Sequence, residues 1–190
     1  MKTLIISLKI FLFFTVLTGI VYPLIVTGVS QLVFPAKANG SLIIKDNKTI
    51  GSELIGQQFD SAMYFTSRPS ASGYNPLRSG GSNYGLTNSK LKQLVNSREQ
   101  QFRQSNQLEP ETNVPSEMLF ASASGLDPHI SKQSALLQVH RVANARNFNT
   151  IQEQKLIECV NRITEAPQLK VFGEERVNVL LLNLEADKIK

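Results

Sequence analysis

The chain has 190 residues, of which 42% are apolar, and a formal net charge of +5 at pH 7. Its single cysteine, Cys159, excludes an intrachain disulfide and any metal site that needs several cysteines. Acidic and basic residues are interspersed and form no basic stripe with aromatic residues, so the composition argues against a nucleic-acid-binding protein.

The longest apolar segment is an uncharged run of 25 residues from Ile10 to Phe34. At about 1.5 Å rise per residue, a helix of this length reaches roughly 37 Å and can cross a hydrocarbon core of about 30 Å. We therefore predict a transmembrane helix at 10–34. A cleaved signal peptide is the alternative, since Ala36-Lys37-Ala38 resembles a cleavage site, but the apolar region of a signal usually has only about 7 to 15 residues.

Lysines on the two sides of the run nearly balance, so the positive-inside rule does not decide its orientation. The segment before the run is short and the segment after it is long, and long domains cross membranes largely regardless of charge. We therefore predict a short cytoplasmic stub at 1–9 and a single extracytoplasmic domain at 35–190.

The predicted transmembrane helix has two different halves. At about 100° per residue, small and hydroxylated side chains gather on one half. They include Thr15, Thr18, Gly19, Tyr22, Pro23 and Thr27. Because such a face allows close helix packing in lipid, we predict that it contacts partner helices. The alternative is that Thr and Gly are only tolerated there.

After the helix, the sequence predicts a hairpin and then a long loop. Ser41–Ile44 and Thr49–Ile50 flank Lys45-Asp46-Asn47-Lys48, a pattern typical of two strands joined by an Asx-type turn. From Thr66 to Asn88 the chain is rich in Gly, Pro, Ser and Asn, so no regular element is expected. Loops of this length are functional or disordered.

The rest of the tail is predicted to be mostly helical. Asn88 is predicted to cap a helix with apolar residues at Leu91, Leu94, Val95 and Phe102. Residues 105–114 are predicted to form an exposed polar segment. Asp127-Pro128 or Ser131 starts a helix that continues through Ala143. Thr150 and Glu153 form a capping box for a helix whose apolar stripe places Cys159 in the core. Val177–Leu184 is predicted to be a buried strand, which gives an α+β fold.

No motif of the sequence predicts catalysis or metal binding. His129 and His140 lie eleven residues apart, which is about three helical turns, so the spacing does not bring both to one metal ion as ligands. There is no nucleophile elbow and no phosphate-binding loop with its lysine. Gly80-Gly81 among serines allows an anion-binding nest, but a plain turn explains the pattern equally.

A series of short motifs follows one another along the whole chain. In order they are Thr18-Gly19, Tyr22-Pro23-Leu24, Thr27-Gly28, Phe34-Pro35, Ala38-Asn39-Gly40-Ser41-Leu42, Gly56-Gln57 with Phe59, Arg68-Pro69-Ser70, Tyr74-Asn75-Pro76, Ser79-Gly80-Gly81-Ser82-Asn83, Ser124-Gly125-Leu126-Asp127-Pro128-His129-Ile130-Ser131 and Arg176-Val177-Asn178-Val179-Leu180. In this order they resemble the C subunit of the bacterial Kdp-type potassium-transporting P-type ATPase complex.

The resemblance implies a non-catalytic subunit of an ATP-driven potassium importer in the bacterial inner membrane. Its partners would be a channel-like potassium-conducting subunit, an ATP-hydrolysing P-type subunit and the lipid bilayer, with no nucleic acid. The family is also described as a catalytic chaperone that raises the ATP affinity of the hydrolysing subunit. We expect no cofactor of its own, because ATP in the cytoplasm lies across the membrane from the predicted domain. Any effect of the domain on ATP affinity would therefore pass through the predicted transmembrane helix.

The resemblance and the loop composition together suggest a partner or nucleotide-linked surface. Its candidate residues are Gln57, Phe59, Arg68, Pro69, Ser70, Tyr74, Asn75, Ser79, Gly80, Gly81, Ser82 and Asn83. We expect the 68–83 loop to dock on the outer mouth of the channel-like subunit, with Arg68 and Arg78 pairing with acids or carbonyls of that partner. The alternatives are that these residues only shape a turn, or that the chain is a stand-alone anchored hydrolase or binding protein.

Overall fold

The computed structural model describes residues 1–190 as two compact units, Met1–Ser52 and Glu53–Lys190. In the first unit, α1 (Lys2–Val16), a π-helical turn (Leu17–Val21) and α2 (Tyr22–Val33) form one continuous helix. This 32-residue helix is long and apolar enough to cross a membrane. It begins eight residues before the predicted start, because Thr3–Leu8 contains no helix breaker.

The helix ends at Val33, where Phe34 leaves the helical region with φ −134°. Pro35 then starts a single further turn, α3 (Pro35–Ala38). The prediction that the regular helix ends at this proline is confirmed, since proline disfavours helical geometry in the residue before it.

The π-helical turn changes which residues share a face of the helix. The N–H of Tyr22 donates to the carbonyl of Leu17, five residues back, next to Pro23, which has no N–H. In a regular α-helix, residues spaced by four drift around the axis by about 40° per step. A wider turn removes part of this drift, so Thr15, Gly19 and Pro23 stay closer to one line.

The predicted hairpin is confirmed. Strands β1 (Leu42–Lys45) and β2 (Lys48–Ser52) pair antiparallel, with a register irregularity between Ile43 and Ile44. Asp46 and Asn47 form the two-residue turn with φ of 51° and 59°. Both residues tolerate the left-handed conformation that a tight hairpin requires.

The second unit is a mixture of helices and short strands, which agrees with the predicted α+β class. Its helices are α4 (Ser89–Asn106), α5 (Lys132–Leu136), α6 (Val139–Ala145), α7 (Thr150–Ile163) and α8 (Val179–Ala186), with 3-10 turns at Pro76–Arg78 and Ser116–Met118. Strands β3 (His129–Ile130) and β4 (Val177–Asn178) pair antiparallel. The core is built around α7 and α8, and its largest fully buried apolar side chains are Phe65, Leu156, Leu182, Val142, Val160, Val177 and Val179. Cys159 is buried in this core, as predicted.

Of the three predicted helix starts, one differs from the structure. Asn88 caps α4 as predicted, by accepting from the N–H of Lys90 at 2.8 Å. Ser131, and not Asp127, caps α5, because Ser131 Oγ accepts from the N–H of Ser134. The capping box of α7 is formed by Asn149 and Gln152, so the prediction of Thr150 with Glu153 was wrong by one residue.

Three predicted segments were also wrong. Val177–Leu184 is a strand for only two residues and then becomes α8, because Asn178 Oδ1 accepts from the N–H of Leu181 and starts a helix. A run that is apolar on all sides is compatible with a buried helix as well as a strand. The helix predicted through Ala143 breaks between α5 and α6. Helix α4 continues to Asn106. Asn106 and Val114 are both buried, so the prediction that 105–114 is an exposed segment holds only in part.

Candidate functional site

The long loop is preceded by a short segment, Ala62–Thr66, that side chains of the helices hold in place. Asn183 of α8 accepts from the N–H of Phe65 at 2.8 Å and donates to its carbonyl at 3.0 Å. The fully buried Gln138 accepts from the N–H of Thr66 at 2.8 Å. These side chains make the hydrogen bonds that a neighbouring strand would otherwise make. The backbone N–H and C=O groups of this segment are therefore satisfied without a sheet.

Two arginines complete this attachment. Arg141 donates to the carbonyls of Ala62 at 2.7 Å and Tyr64 at 3.0 Å, and burial lowers the pKa of its guanidinium. Arg146 donates to the carbonyl of Met63 at 2.7 Å, and its guanidinium carbon lies 5.1 Å from the centre of the Tyr64 ring. The segment is therefore part of the core structure and is not a free surface.

Arg68 is paired within the chain, which corrects the expectation that it pairs with a partner. Its Nη1 lies 2.8 Å from Asp127 Oδ2, and its Nε is buried without an acceptor. Burial by itself would raise the pKa of Asp127. Hydrogen bonds from the His129 side chain and backbone and the interaction with Arg68 outweigh this effect and lower the pKa to about 2. Asp127 is therefore charged at neutral pH and holds the loop to the start of β3.

Tyr74 is a second attachment point of the loop. It adopts a left-handed backbone conformation with φ of 58°, and its N–H donates to Ser70 Oγ at 2.9 Å. Its hydroxyl donates to the carbonyl of Arg68. Burial, more than any other cause, raises the pKa of Tyr74 to about 12, so the hydroxyl keeps its proton at neutral pH.

The segment Ser122–Asp127 is the platform on which the loop lies. Gly80 N and Ser79 Oγ both donate to the carbonyl of Ser124, at 2.8 and 3.0 Å. Ser70 Oγ donates to the carbonyl of Gly125 at 2.7 Å. Because the N–H of Gly80 is used in this way, the possible anion-binding nest at Gly80-Gly81 does not form.

Gly125 is required at the centre of this platform. Its φ is +69°, and a Cβ at this position would lie 2.5 Å from Ser72 Oγ and 3.0 Å from the carbonyl oxygen of Gly80. A side chain would therefore be strained and would also push the loop away from the platform.

Beyond this platform runs a largely exposed stretch of the loop, which we call the outer loop and define as residues 75–87. Leu77 and Leu86 in this stretch are 93% and 91% exposed. Asn75 supports the 3-10 turn by accepting from the N–H of Leu77 at 3.0 Å. Arg78 is exposed as well. The sequence prediction missed both leucines, since single leucines in a polar loop do not by themselves mark a contact surface.

A cleft of about 400 Å³ separates the loop from α4. Of the predicted site residues, it is lined by Phe59, Pro69, Ser70 and Tyr74. The facing wall includes Arg98, Gln101, Phe102, Ser105 and Met118, which sequence reasoning did not assign to a site. Arg98 donates to the carbonyl of Leu119 at 2.9 Å, and burial lowers the pKa of its guanidinium.

The structure thus divides the predicted site residues into three groups. Gln57, Phe59, Arg68, Pro69, Ser70, Tyr74, Gly80 and Gly81 are partly buried against the second unit, and Asn75, Ser79, Ser82 and Asn83 are exposed. Thr15, Thr18, Gly19, Tyr22, Pro23 and Thr27 lie on the apolar helix with exposed side chains. The hydroxyls of Thr15 and Thr18 donate to carbonyls four residues back within this helix.

The two histidines lie on different elements and contact different carboxylates. His129 Nδ1 of β3 is 3.6 Å from Asp127 Oδ1, whereas His140 Nδ1 of α6 is 3.3 Å from Glu153 Oε1. No group of three or more His, Cys, Asp or Glu side chains is placed to hold a metal ion.

Comparison with known proteins gives a match over nearly the whole chain. Residues 4–188 match the family described as "K+-transporting ATPase, c chain". Similar proteins named "Potassium-transporting ATPase KdpC subunit" include one from Mycobacterium tuberculosis, 49% identical over 185 residues that cover 96% of each chain. Another, from Geotalea uraniireducens, is 46% identical over 187 residues and covers 96% of each chain. A third, from Photorhabdus laumondii, is 44% identical over 186 residues that cover 96% of this chain and 94% of the relative.

Proposed function

Because this chain belongs to the family of the C chains of K+-transporting ATPases, we propose that it is a non-catalytic subunit that assembles and stabilises a potassium import complex. Its partners are a channel-like potassium-conducting subunit and an ATP-hydrolysing P-type subunit. The chain crosses the bacterial inner membrane once, and its second unit lies outside the cytoplasm. It has no cofactor of its own, and ATP and potassium act through the complex.

The observation that carries this proposal is the exposure of Leu77 and Leu86 on a loop that is otherwise held in place. Apolar anchors surrounded by polar groups are typical of protein interfaces. Before the outer loop the chain is attached to the rest of the second unit through Arg68 and Tyr74, and within the outer loop it is attached through Gly80. A partner therefore meets a surface whose conformation is already fixed, which reduces the entropy lost on binding.

The outer mouth of the channel-like subunit is the partner that suits this surface. Around the two leucines, the exposed side chains of Asn75, Ser82 and Asn83 offer neutral amide and hydroxyl groups. Such groups bind a passing cation less strongly than carboxylates would, which an ion entrance requires. Arg78, exposed on the same face, would repel potassium, so we expect it to pair with an acid or a carbonyl of the partner.

Replacing the two leucines tests the docking surface without damaging the fold. We expect Leu77→Ser/Leu86→Ser to lose co-purification with the other subunits in mild detergent and to lose potassium uptake in cells. Ile151→Ser is the matched control, because Ile151 is a 70% exposed apolar residue on α7, away from the loop. Normal assembly and uptake by the double variant would exclude the outer loop as the docking site.

The apolar helix supplies a second contact with the complex. We propose that the face with Thr15, Gly19 and Pro23 packs against helices of the partner subunits, because small residues allow helices to approach closely in lipid. Exchanging 10–34 for a polyleucine helix should keep the chain in the membrane but abolish co-purification. If the complex forms normally with polyleucine, the helix is only a tether.

We propose that this helix also transmits the effect of the chain on ATP affinity, since a domain outside the cytoplasm cannot contact cytoplasmic ATP. Gly19→Leu should raise the ATP concentration needed for half-maximal hydrolysis by the assembled complex. A Cβ at Gly19 meets nothing within 4 Å apart from the backbone of its own helix, so an effect of the variant is expected to come from contacts with partners. Ile20→Leu, on the apolar half, is the control. Binding of ATP to the isolated full chain in equilibrium dialysis would instead indicate direct contact.

A further inference from the structure

A short hairpin between α7 and β4 exposes apolar side chains that the proposed assembly does not use. Its arms are joined where Glu165 N donates to the Arg176 carbonyl at 2.8 Å, and Gln168 N donates to the Phe172 carbonyl at 2.8 Å. We call residues 168–173 the hairpin tip. Leu169, Val171 and Phe172 in the tip are 85%, 76% and 64% exposed.

These apolar residues do not contribute to the core, and the turn that presents them is conformationally unfavourable. Leu169 and Lys170 have φ of 53° and 62°, a left-handed conformation that side chains other than Gly, Asn and Asp rarely adopt. Backbone strain of this kind is commonly found at positions that bind something. Three exposed apolar side chains within four residues on a narrow hairpin therefore indicate a contact surface.

We propose that the hairpin tip inserts into the surface of the lipid bilayer. The same chain carries a helix long and apolar enough to span a membrane, so a bilayer is present at high effective concentration around the second unit. Leu169, Val171 and Phe172 would enter the boundary between headgroups and acyl chains. Lys170, which lies between them, can keep its ammonium group among lipid phosphates while its aliphatic part lies against the apolar surface.

The charges around the tip indicate that apolar contact drives this insertion. At the base of the hairpin, Arg176 pairs with Glu165 at 2.9 Å, which leaves Lys170 as the only other basic residue of the hairpin. Glu174 and Glu175 are exposed beside it. The hairpin therefore has no basic excess, and its binding should not depend on anionic lipid. The inference rests on the membrane anchor and not on contact with the partner subunits.

The absence of tryptophan from the chain allows a direct test. The full chain with Phe172→Trp is placed in nanodiscs of phosphatidylcholine, with no other subunit present, and its fluorescence is compared with that in nanodiscs of brominated phosphatidylcholine. We expect emission at shorter wavelength than for a solvated tryptophan, and loss of intensity with brominated acyl chains. Adding Leu169→Ser and Val171→Ser to this variant should restore the intensity, and anionic lipid should leave the quenching unchanged.

Ile151→Trp is the matched control, because it places the single tryptophan at another exposed apolar position of the second unit. Equal quenching of the two tryptophans, or none in either, would overturn the proposal. A shift to shorter wavelength without quenching by bromine would also overturn it and would indicate contact between copies of the chain. Quenching that appears only with anionic lipid would contradict the apolar mechanism.

Discussion

Two irregular segments of the second unit, Ala62–Thr66 and the outer loop, are held very differently. Ala62–Thr66 has its backbone groups bonded to buried or partly buried side chains, among them Asn183 and Gln138. The outer loop, residues 75–87, is attached mainly through Gly80 and Ser79 and exposes Leu77 and Leu86. Neither segment contains an α-helix or a strand, so irregularity alone does not distinguish a structural segment from a binding surface.

The two segments differ in the partners of their backbone hydrogen bonds and in the burial of their apolar side chains. Phe65 is fully buried, and its backbone partners come from α8. Leu77 is almost fully exposed, and its N–H is bonded only to the adjacent Asn75. Changes in the first segment should therefore reduce stability, whereas changes in the second should mainly affect binding.

The largest effect on stability is expected from Asn183→Ala. This change removes both partners of the Phe65 backbone, and two buried polar groups without partners should reduce the free energy of unfolding by about 3 kcal/mol. Urea unfolding of the full chain in detergent micelles, followed by circular dichroism, measures this change in the free energy of unfolding. Asn144→Ala is the control, because Asn144 is exposed and contacts only His140 through its side chain. Equal stability of the two variants would mean that 62–66 is not held as described.

Gly125→Ala should have the next largest effect, about 2 kcal/mol, because alanine is strained at positive φ and its Cβ would approach the Gly80 carbonyl. Gly80→Ala is the matched control on the opposite side of the same contact. A Cβ at Gly80 meets nothing within 4 Å, so this variant should stay within about 0.5 kcal/mol of the native chain. If both variants are equally stable, the platform does not constrain the loop.

Asp127→Asn should reduce stability by about 1.5 kcal/mol at pH 7 and should also change its pH dependence. The pKa of Asp127 is lower in the folded chain, about 2, than the value near 4 expected when unfolded. Its contribution is therefore fully present above pH 4 and is lost as the pH falls toward 2. The difference between native and variant chains should shrink over this interval. A difference between native and variant chains that stays constant from pH 7 to pH 2 would mean that the Asp127 carboxylate does not stabilise the fold.

The smallest effect on stability is expected from Leu77→Ser/Leu86→Ser, within about 0.5 kcal/mol, because neither side chain is buried. Unfolding of the isolated chain measures this, alongside the co-purification described above. A large loss of stability would mean that the outer loop packs against the second unit, and the comparison between the two segments would no longer hold.

Local patterns predicted the parts of the fold that depend on neighbouring residues. The apolar run predicted a helix long enough to cross a membrane, Asp46-Asn47 predicted the hairpin turn, and Asn88 predicted the start of α4. Helix caps were predicted less well. Thr150 was predicted as a cap where the adjacent Asn149 forms it, and Asp127 and Ser131 were left as alternatives, of which Ser131 forms the cap. A capping side chain must reach a free N–H, and this geometry is not visible in the sequence.

The candidate site was predicted only in part. The composition of 66–88 identified the loop, but its partners within the chain lie far away in sequence. Arg68 and Asp127 are 59 positions apart, and Phe65 and Asn183 are 118 apart. No periodicity or spacing connects such residues, so the sequence suggested a partner for Arg68 that the fold already supplies.

The sequence by itself determined the long apolar helix, the short hairpin, an irregular loop and, through its motifs, the family. These follow from composition and from contacts between close neighbours, because apolar length, turn propensity and caps act locally. Only the tertiary structure decided that Val177–Leu184 becomes mostly helical, that Arg68 is paired inside the chain and that Leu77 and Leu86 remain outside. These outcomes depend on which distant groups compete for the same buried space and the same hydrogen bonds.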